Sequence, residues 1–391
     1  MNIIKDLPSI EINNNVLYSN DVFQTGLNHF AFFHDFKIDI KESLISDIES
    51  NPNQKYYFIH FISFLSFQNL INLYSTNNEF SEKIKKLLNK KNFRLIFLDV
   101  HESHEHFHVE EFFEIFTNTE KILFINNDYN LQNKKIKTIK SNFLVKNSVK
   151  NFVEYDLFKK SWNEEKRNKF FLCKNKSGKA HRYFTLCLLD KYNLLEKTNY
   201  SFLNYPDVLN KKFDKSIFLN FDKSEQKIQN LIKKPKYTDF EFNFDFKSLE
   251  ESNYNFAGEL MVDDYKNSYI NITTESEYFG EQVHVTEKSI KPFFLSQLPI
   301  FVASYNHVKH LRKNLNLDLF DDFVDHSYDN EKDDTIRLKI IMEECIRLSE
   351  MENEIIQFIK SNKHRFEKNV NTLVNFYNLP ETHFVNNILD F

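Results

Sequence analysis

Three consecutive polar residues, Thr286, Glu287 and Lys288, stand before an apolar helix-like segment and a β-branched strand in the stretch VHVTEKSIKPFFLSQLPIFVAS (283–304). Thr286 is a favourable N-cap, and Glu287 suits the first turn of a helix. A lysine in that turn opposes the helix dipole unless an anion shares the site. The stretch by itself leaves two alternatives for Lys288, a negatively charged ligand or an ordinary exposed lysine.

A second cationic group stands before another predicted helix. The stretch CKNKSGKAHR (173–182) places lysines, His181 and Arg182 around Gly178, between the strand KFFLCK and the helix YFTLCLLDKYNLL. Free N–H groups at a helix start favour a phosphate, and loops that follow parallel strands meet at the carboxyl edge of the sheet. A diphosphate held between the two helix starts would account for both groups of cations.

The first half of the chain alternates between short apolar runs and amphipathic segments. The predicted strands are YYFIHFISF (56–64), RLIFLDV (94–100) and KILFINND (121–128). The predicted helices between them are EFSEKIKKLLNKK (79–91) and VEEFFEIFT (109–117). This alternation predicts a parallel sheet covered by helices.

A second alternation follows the charged stretch 154–169, which is a candidate linker or domain entry. Further strands are predicted at KSIFLNF (215–221) and NSYINITTES (267–276). After Asp333, apolar residues recur at helical spacing almost to the C-terminus. The length of 391 residues and the double alternation predict two α/β domains.

The composition limits the classes of partner. A net charge of −5 gives no global attraction to nucleic acid. The cysteines, Cys173, Cys187 and Cys345, are widely spaced and odd in number, which fits free thiols in a reducing compartment. There is no signal-like N-terminus and no apolar run of about 18 uncharged residues, so we expect a cytoplasmic protein without a membrane span.

The stretches that contain these two groups of cations also match the sequence pattern of a known protein family. The stretch 269–304, with its Thr-Glu-Lys before a helix and an apolar strand, resembles the nucleotide-binding segment of the α1,3/4-fucosyltransferases. It is closer still to related glycosyltransferase-like proteins of phages and bacteria, because TEKSIKP is followed by HLRKNLNLDLFDDFVDHSYD (310–329). The segment FLCKNKSGKAHRYFTLCLLDKYNLL (171–195) resembles their strand, loop and His-Arg helix. The resemblance covers about residues 168–350.

The resemblance implies roles for individual residues. Arg182 and Lys288 would hold the diphosphate of a nucleotide sugar, and Glu287 would accept hydrogen bonds from ribose or sugar hydroxyls. The fucosyltransferase Asn and Tyr that precede Thr-Glu-Lys are replaced by EQVHV (281–285), which leaves the sugar and base of the donor open. The candidate donor-binding set is completed by His181, Thr286, Asn175 and Glu275.

The resemblance further implies a GT-B fold, in which two Rossmann-like domains face each other across a cleft. The predicted boundaries are 1–155 for an acceptor domain, 156–350 for the nucleotide-sugar domain and 351–391 for helices that pack back across the domains. In this family an N-terminal group deprotonates the acceptor hydroxyl. Asp99, Glu102 and Glu105 follow a predicted strand and could do so, and we favour Glu102. An ordinary polar loop is the alternative for each.

The loop HESHEHFHVEE (101–111) is rich in histidine and invites comparison with a zinc site. Closed zinc sites need ligands that wrap the ion, usually from two distant pairs, and this dense run lacks that pattern. We therefore predict no metal and no required cofactor.

The resemblance, together with the cations at the two helix starts, implies an inverting glycosyltransferase that moves a sugar from a nucleotide-diphosphate sugar to a saccharide acceptor. One alternative is a phage-type enzyme that glycosylates a modified DNA base, which would make nucleic acid a partner. Another is a non-catalytic protein that binds a nucleotide sugar or a glycan.

Overall fold

The computed structural model describes two groups of secondary structure, one before and one after about residue 144. The described residues are 9–12, 15–19, 42–53, 55–61, 67–75, 79–99, 106–126, 128, 131, 133, 135–140, 143–154, 156–162, 166–175, 179–202, 214–218, 221–232 and 265–378. They fall into two compact units, one of residues up to Phe143 and one of residues from Leu144 onward. Each unit contains one mainly or wholly parallel sheet with helices, so the predicted α/β class is confirmed.

The first unit is built on a six-stranded sheet in which spatial order follows chain order. Its first two strands are antiparallel and the remaining pairs are parallel. The strands are β1 (Ser9–Ile12), β2 (Asn15–Ser19), β3 (Lys55–Phe61), β4 (Phe93–Leu98), β5 (Ile122–Asn126) and β6 (Lys137–Lys140). Every step from β2 to β6 goes in the same direction, so these described strands contain no reversal of strand order.

Helices of the first unit pack aromatic side chains against this sheet. The helices are α1 (Glu42–Ser50), α2 (Phe67–Ser75), α3 (Glu79–Leu88) and α4 (His106–Glu114). Tyr74 of α2 meets Phe97 of β4 and Phe112 of α4 edge-on, with ring centroids 5.4 and 5.6 Å apart. All three rings are buried, so part of the phenylalanine-rich composition forms the core here.

The second unit is built on four parallel strands in the order β10-β9-β7-β8. The strands are β7 (Lys169–Asn175), β8 (Thr198–Phe202), β9 (Ser268–Thr274) and β10 (Leu298–Val302). β8 lies on one side of β7, whereas β9 and β10 lie on the other side. The strand order therefore reverses between β7 and β9, where a crevice for ligands commonly opens at the carboxyl ends of the strands.

The second unit contains several helices, and the last three confirm the helices predicted after Asp333. The helices described in this unit are α5 (Phe143–Glu154), α6 (Leu157–Ser161), α7 (Ala180–Lys191), α8 (Phe221–Ile232), α9 (Glu287–Phe294), α10 (His307–Leu315), α11 (Asp334–Ser349), α12 (Glu352–Ser361) and α13 (Lys363–Asn378). Asp333 caps α11 by accepting from the N–H groups of Thr335 and Ile336. Phe366 of α13 packs on Phe320, with ring centroids 4.5 Å apart, so these helices belong to the second unit. Residues 379–391 lie outside the described residues.

The described residues of the charged stretch 154–169 pack within the second unit, so they form the entry to a domain. Ser161 of α6 donates to the Phe294 carbonyl at 2.7 Å, and buried Arg167 donates to the carbonyls of Ser268 and Ser296. The preceding helix α5 joins the same unit because Phe152 packs against Phe294. The second unit thus begins at Leu144, whereas the sequence placed this boundary at 156.

The prediction of a strand at KSIFLNF (215–221) is wrong. Residues Lys215–Ile217 form a short 3-10 helix, and α8 begins at Phe221. The cause is local, because the Asp214 carboxylate accepts from both the N–H and the hydroxyl of Ser216 and bends the chain. In the part of the chain that the structure describes, no helix is both long and apolar enough to cross a membrane.

Candidate functional site

The candidate site lies where the strand order of the second sheet reverses. Asn175 ends β7 and Thr274 ends β9, and the Thr274 hydroxyl donates to Asn175 Oδ1 at 2.5 Å. The Asn175 N–H donates to Ser201 Oγ of β8 at 3.1 Å. Asn175 is buried and joins the carboxyl ends of three strands, so it supports the site from within the sheet.

The first turn of α7 attaches to the end of β9. The carbonyl of Glu275 accepts from His181 Nε2 at 2.9 Å and from Arg182 Nη2 at 3.1 Å. A carbonyl can only accept, so Nε2 carries the hydrogen of the imidazole. Burial holds the pKa of His181 well below its ordinary value, which keeps the ring neutral. Burial also lowers the pKa of Arg182, an effect that the Glu275 charge opposes.

The Glu275 carboxylate is fully buried and collects hydrogen bonds from the start of α9. The Thr286 hydroxyl donates to Oε2 at 2.8 Å, and the Ser289 hydroxyl donates to Oε1 at 2.5 Å. Backbone N–H groups of Ser276 and Thr286 donate at 3.0 and 3.3 Å. Thr286 Oγ1 in turn accepts from the Lys288 N–H at 3.2 Å, so Thr286 caps α9 as predicted.

Glu275 is ionised at neutral pH despite its burial. Burial alone would raise the pKa of its carboxyl, but the positive charge of Lys288 and the hydrogen bonds from Ser289 and Thr286 lower it to about 2. A carboxylate that accepts several hydrogen bonds favours its charged form in this way. Glu275 thus supplies an anion next to the first turn of α9, which compensates for a cation there.

A buried chain of hydrogen bonds continues from Glu275 to α10. Ser289 Oγ donates to Glu275, so it can only accept from His307 Nε2, which lies 2.7 Å away. Burial lowers the pKa of His307, and Glu275 opposes that shift. The serine stands between the acid and the histidine, so this order does not activate the hydroxyl as a Ser-His-Asp triad would. The part that His307 plays was not predicted from the sequence, because His307 lies far from Glu275 in the chain.

Glu287 and Lys288, the first two residues of α9, remain partly exposed, each with 30% of its side chain accessible. Lys288 Nζ lies 3.3 Å from Ser276 Oγ and from Thr286 Oγ1, and 3.4 Å from Glu287 Oε1. Charge-assisted hydrogen bonds are usually 2.7–2.9 Å long, so these contacts hold the ammonium loosely. Burial would raise the pKa of Glu287, but Lys288 and Lys291 lower it, so the carboxylate can accept hydrogen bonds.

Arg337 of α11 holds the loop between β9 and α9 in place, a role that was not predicted from the sequence. The Tyr278 ring stacks on His181 with centroids 5.3 Å apart, and the guanidinium of buried Arg337 lies 4.4 Å from the centre of the same ring. Arg337 also donates to the carbonyls of Tyr278 and Ala303. This stack fixes the loop that carries Glu275.

The structure brings all the predicted donor-binding residues into this one arrangement but gives them different surroundings. Lys288 and Glu287 present charged groups toward solvent. The buried members hold the helix starts and the loop in place, and they are Asn175, His181, Arg182, Glu275 and Thr286.

Of the predicted catalytic carboxylates, the structure describes Asp99, which belongs to the first unit. Asp99 directly follows β4, is buried, and donates its N–H to the Ile125 carbonyl at 2.8 Å. Glu102 and Glu105 lie outside the described residues. Within the described ranges, no three His, Cys, Asp or Glu side chains are grouped to hold a metal ion.

Comparisons of the chain with protein-family models, with curated proteins and with solved structures each find no match.

Proposed function

We propose that the protein is an inverting glycosyltransferase of GT-B type, with a nucleotide-diphosphate sugar as donor and a saccharide as acceptor. The observation that carries the proposal is the position of Lys288, a loosely held and partly exposed cation in the first turn of α9. This turn follows β9, next to the reversal of strand order. Diphosphates commonly bind to a helix start at such a point in a parallel sheet.

Under this proposal each charged side chain of the site has its own role in the transfer. The Lys288 ammonium and the positive end of the α9 dipole stabilise the charge that grows on the leaving diphosphate. The Glu287 carboxylate accepts hydrogen bonds from hydroxyls of the donor. Arg182 lies at the start of α7 and adds positive charge to the same region, although its Nη2 is bonded to backbone carbonyls. One of the carboxylates Asp99, Glu102 and Glu105 accepts the proton of the acceptor hydroxyl.

The buried residues support this chemistry by fixing Lys288 before a ligand arrives. Glu275 is bonded to Thr286 and Ser289 on either side of the lysine, so the first turn of α9 is rigid. A site that is already organised loses less entropy when it binds its ligand. Glu275 also compensates for the charge of Lys288, so the ammonium is stabilised before a phosphate binds.

The test is thermal stabilisation of the purified protein by a panel of nucleoside diphosphates and nucleotide sugars. A ligand present at 100 times its dissociation constant adds about 2.7 kcal/mol to the free energy of unfolding. We expect one nucleotide to stabilise the wild type, and Lys288→Ala to lose the effect. Lys313→Ala is the matched control, because it removes an exposed lysine from α10. Equal stabilisation of wild type and Lys288→Ala would contradict the proposed site.

Turnover distinguishes an enzyme from a binding protein that kept the fold. With the stabilising nucleotide sugar, release of the nucleoside diphosphate is measured with and without saccharide acceptors. We expect release, and we expect loss of release when the catalytic carboxylate is replaced by its amide. Binding at Lys288 without release from any donor would instead support a nucleotide-sugar-binding protein.

A further inference from the structure

Side chains bond the outward backbone groups of β10, which lies at one end of the strand order in the second sheet. The Phe301 N–H donates to the Tyr328 hydroxyl oxygen at 2.9 Å, and the Pro299 carbonyl lies 3.2 Å from His326 Nε2. Natural proteins commonly cover an edge strand in some way, and a proline is tolerated there because its missing N–H is not needed for pairing. His326 and Tyr328 thus take the place of a further strand along β10.

The His326 ring contacts two oxygens that a neutral imidazole cannot satisfy together. Nε2 faces the Pro299 carbonyl, and Nδ1 lies 3.0 Å from Asp321 Oδ1. A carbonyl can only accept, and so can an ionised carboxylate, whereas a neutral imidazole has one donor and one acceptor nitrogen. A neutral ring would therefore direct a lone pair at one of the two oxygens. Both contacts are satisfied when each nitrogen carries hydrogen, which is the imidazolium form.

Asp321 is ionised because Arg312 of α10 binds the same carboxylate. Arg312 Nε donates to Oδ2 at 2.8 Å and Nη2 donates to Oδ1 at 2.5 Å, which is a bidentate pair. Burial alone would raise the pKa of Asp321, but the hydrogen bonds from His326 and Arg312 lower it below its ordinary value. The hydrogen between Asp321 and the ring therefore belongs to His326.

The other titratable and charged groups around the ring also favour a cation. His326 borders a pocket of about 470 Å³ whose lining includes residues of α10 and α11. These groups lie around the pocket or on the 3-10 turn Ser327–Asn330, and they are Asp322, Asp325, Tyr328, Asp329, Glu344 and Arg347. Burial raises the pKa of Tyr328 well above its ordinary value, so the phenol is neutral. Carboxylates outnumber guanidinium groups in this set, and an excess of negative charge favours a protonated imidazole.

We infer that His326 is an imidazolium at neutral pH and acts as a pH-sensitive latch, which fastens the chain around Asp321 to the outer edge of β10. The ring is 1% exposed, whereas the Asp321 side chain is 48% exposed and connects the ring to solvent. When the ring gives one proton to solvent, the charged carboxylate retains the remaining hydrogen, and Nε2 turns a lone pair toward the Pro299 carbonyl. The latch is therefore closed at neutral and mildly acidic pH and opens as the pH rises.

The charge of the ring is tested by long-range 1H–15N NMR of the full-length protein with labelled histidines. This spectrum distinguishes ring nitrogens that carry hydrogen from bare ones. His326→Gln and His364→Gln assign the two signals, and His364 is the control because it is an exposed histidine of α13. At about pH 7.5 an ordinary histidine is mostly neutral. We expect both nitrogens of His326 to carry hydrogen at that pH, and one nitrogen of His364 to be bare.

Asp321→Asn tests the source of the charge. The amide keeps an oxygen that can accept from His326 but carries no charge. We expect the ring of this variant to lose its second hydrogen at a pH about one unit lower than in the wild type, or lower still. Asp325→Asn is the matched control, because it neutralises another carboxylate of the same pocket, whose Oδ1 accepts from the Ser327 N–H. Its effect should be less than half as large.

Hydrogen exchange measured by mass spectrometry tests the latch itself. Glutamine can donate to only one of the two oxygens, so peptides that cover β10 and residues 318–328 should exchange about tenfold faster in His326→Gln than in the wild type at about pH 6.5. The ratio should fall toward one as the pH rises to about 9, because the wild-type ring is then neutral. Peptides of α12 provide the internal reference.

Two results would overturn the inference: a bare nitrogen in the His326 ring at about pH 7.5, or equal exchange of wild type and folded His326→Gln at every pH. If His326→Gln does not fold, the titrations of the wild type and of Asp321→Asn decide the matter, and identical titrations of the ring would contradict the latch. None of these measurements uses a nucleotide, so their outcome is independent of the proposed donor site.

Discussion

Two buried polar side chains at the carboxyl edges of the sheets, Glu275 in the second unit and Asn126 in the first, differ in how their hydrogen-bonding groups are satisfied. At the second edge, Glu275 accepts from two hydroxyls and two backbone N–H groups, and its neighbours bind one another. At the first edge, Asn126 keeps an amide donor without a partner among the described residues. Buried groups that are fully bonded organise a structure, whereas an unsatisfied one suggests a missing ligand. The difference predicts opposite responses to substitution.

The largest effect is expected for Glu275→Ala. The substitution leaves the hydroxyls of Thr286 and Ser289 without their acceptor and Lys288 without its buried counter-charge. Breaking such a buried charged network costs about 3–5 kcal/mol. We expect the free energy of unfolding of the second unit to fall by that amount in urea titrations followed by fluorescence of Trp162, the single tryptophan of the chain.

The control for Glu275→Ala is Glu343→Ala, which removes an exposed carboxylate from α11 that pairs with Lys339 at 3.7 Å. An exposed pair contributes less than about 1 kcal/mol, so this variant should unfold almost as the wild type does. A loss below about 1 kcal/mol in Glu275→Ala would show that the network does not stabilise the second edge, and the contrast between the edges would fail.

The pH dependence of stability is the next largest effect. The pKa of Glu275 is about 2 in the folded protein and has its ordinary value near 4.5 in the unfolded chain. A lowered folded pKa means that the stabilisation is complete above about pH 4.5 and is lost as the pH falls toward 2. The size of this contribution is about 3 kcal/mol.

Glu275→Gln isolates this contribution from that of the other carboxylates. We expect the difference in free energy of unfolding between wild type and Glu275→Gln to be largest at neutral pH and to shrink between pH 4.5 and 2. Parallel pH profiles for the two proteins over that interval would mean that Glu275 does not change its proton affinity on folding.

Thr286 tests a smaller part of the same network. Its hydroxyl caps α9 and donates to Glu275, so Thr286→Ala should lower the free energy of unfolding by about 1–2 kcal/mol. Thr286→Ser keeps the hydroxyl and should retain most of the stability. If serine and alanine prove equally destabilising in urea titrations, the loss arises from packing of the threonine methyl group, and the hydrogen bonds contribute little.

Local signals in the sequence were sufficient for much of the second unit. The apolar runs predicted β7, β9 and β10, and the Thr-Glu-Lys stretch predicted the start of α9, because strand pattern and helix caps depend on neighbouring residues. The same logic gave the wrong result at KSIFLNF. There the Asp214 carboxylate accepts from Ser216 and turns an apolar run into a 3-10 helix.

The contacts of Glu275 could not be predicted, because they depend on packing between distant segments. Ser289 and His307 meet the carboxylate only after α9 and α10 pack beside β9. Sequence reasoning therefore placed Glu275 among the residues that touch the donor, whereas its carboxylate faces inward and is fully buried. Asn126 gave no signal at all, because an asparagine at the end of a strand usually belongs to an ordinary turn.

The smallest effect is expected for Asn126→Ser, and it tests the other side of the contrast. Serine can accept from the N–H two residues later, as Asn126 does from Asp128, and the variant removes the unsatisfied amide donor. We expect the free energy of unfolding to change by less than about 0.5 kcal/mol, measured by urea titration followed by circular dichroism. A loss of 2 kcal/mol or more would show that the Asn126 amide stabilises the fold, and the two edges would then be alike in using their buried polar groups for structure.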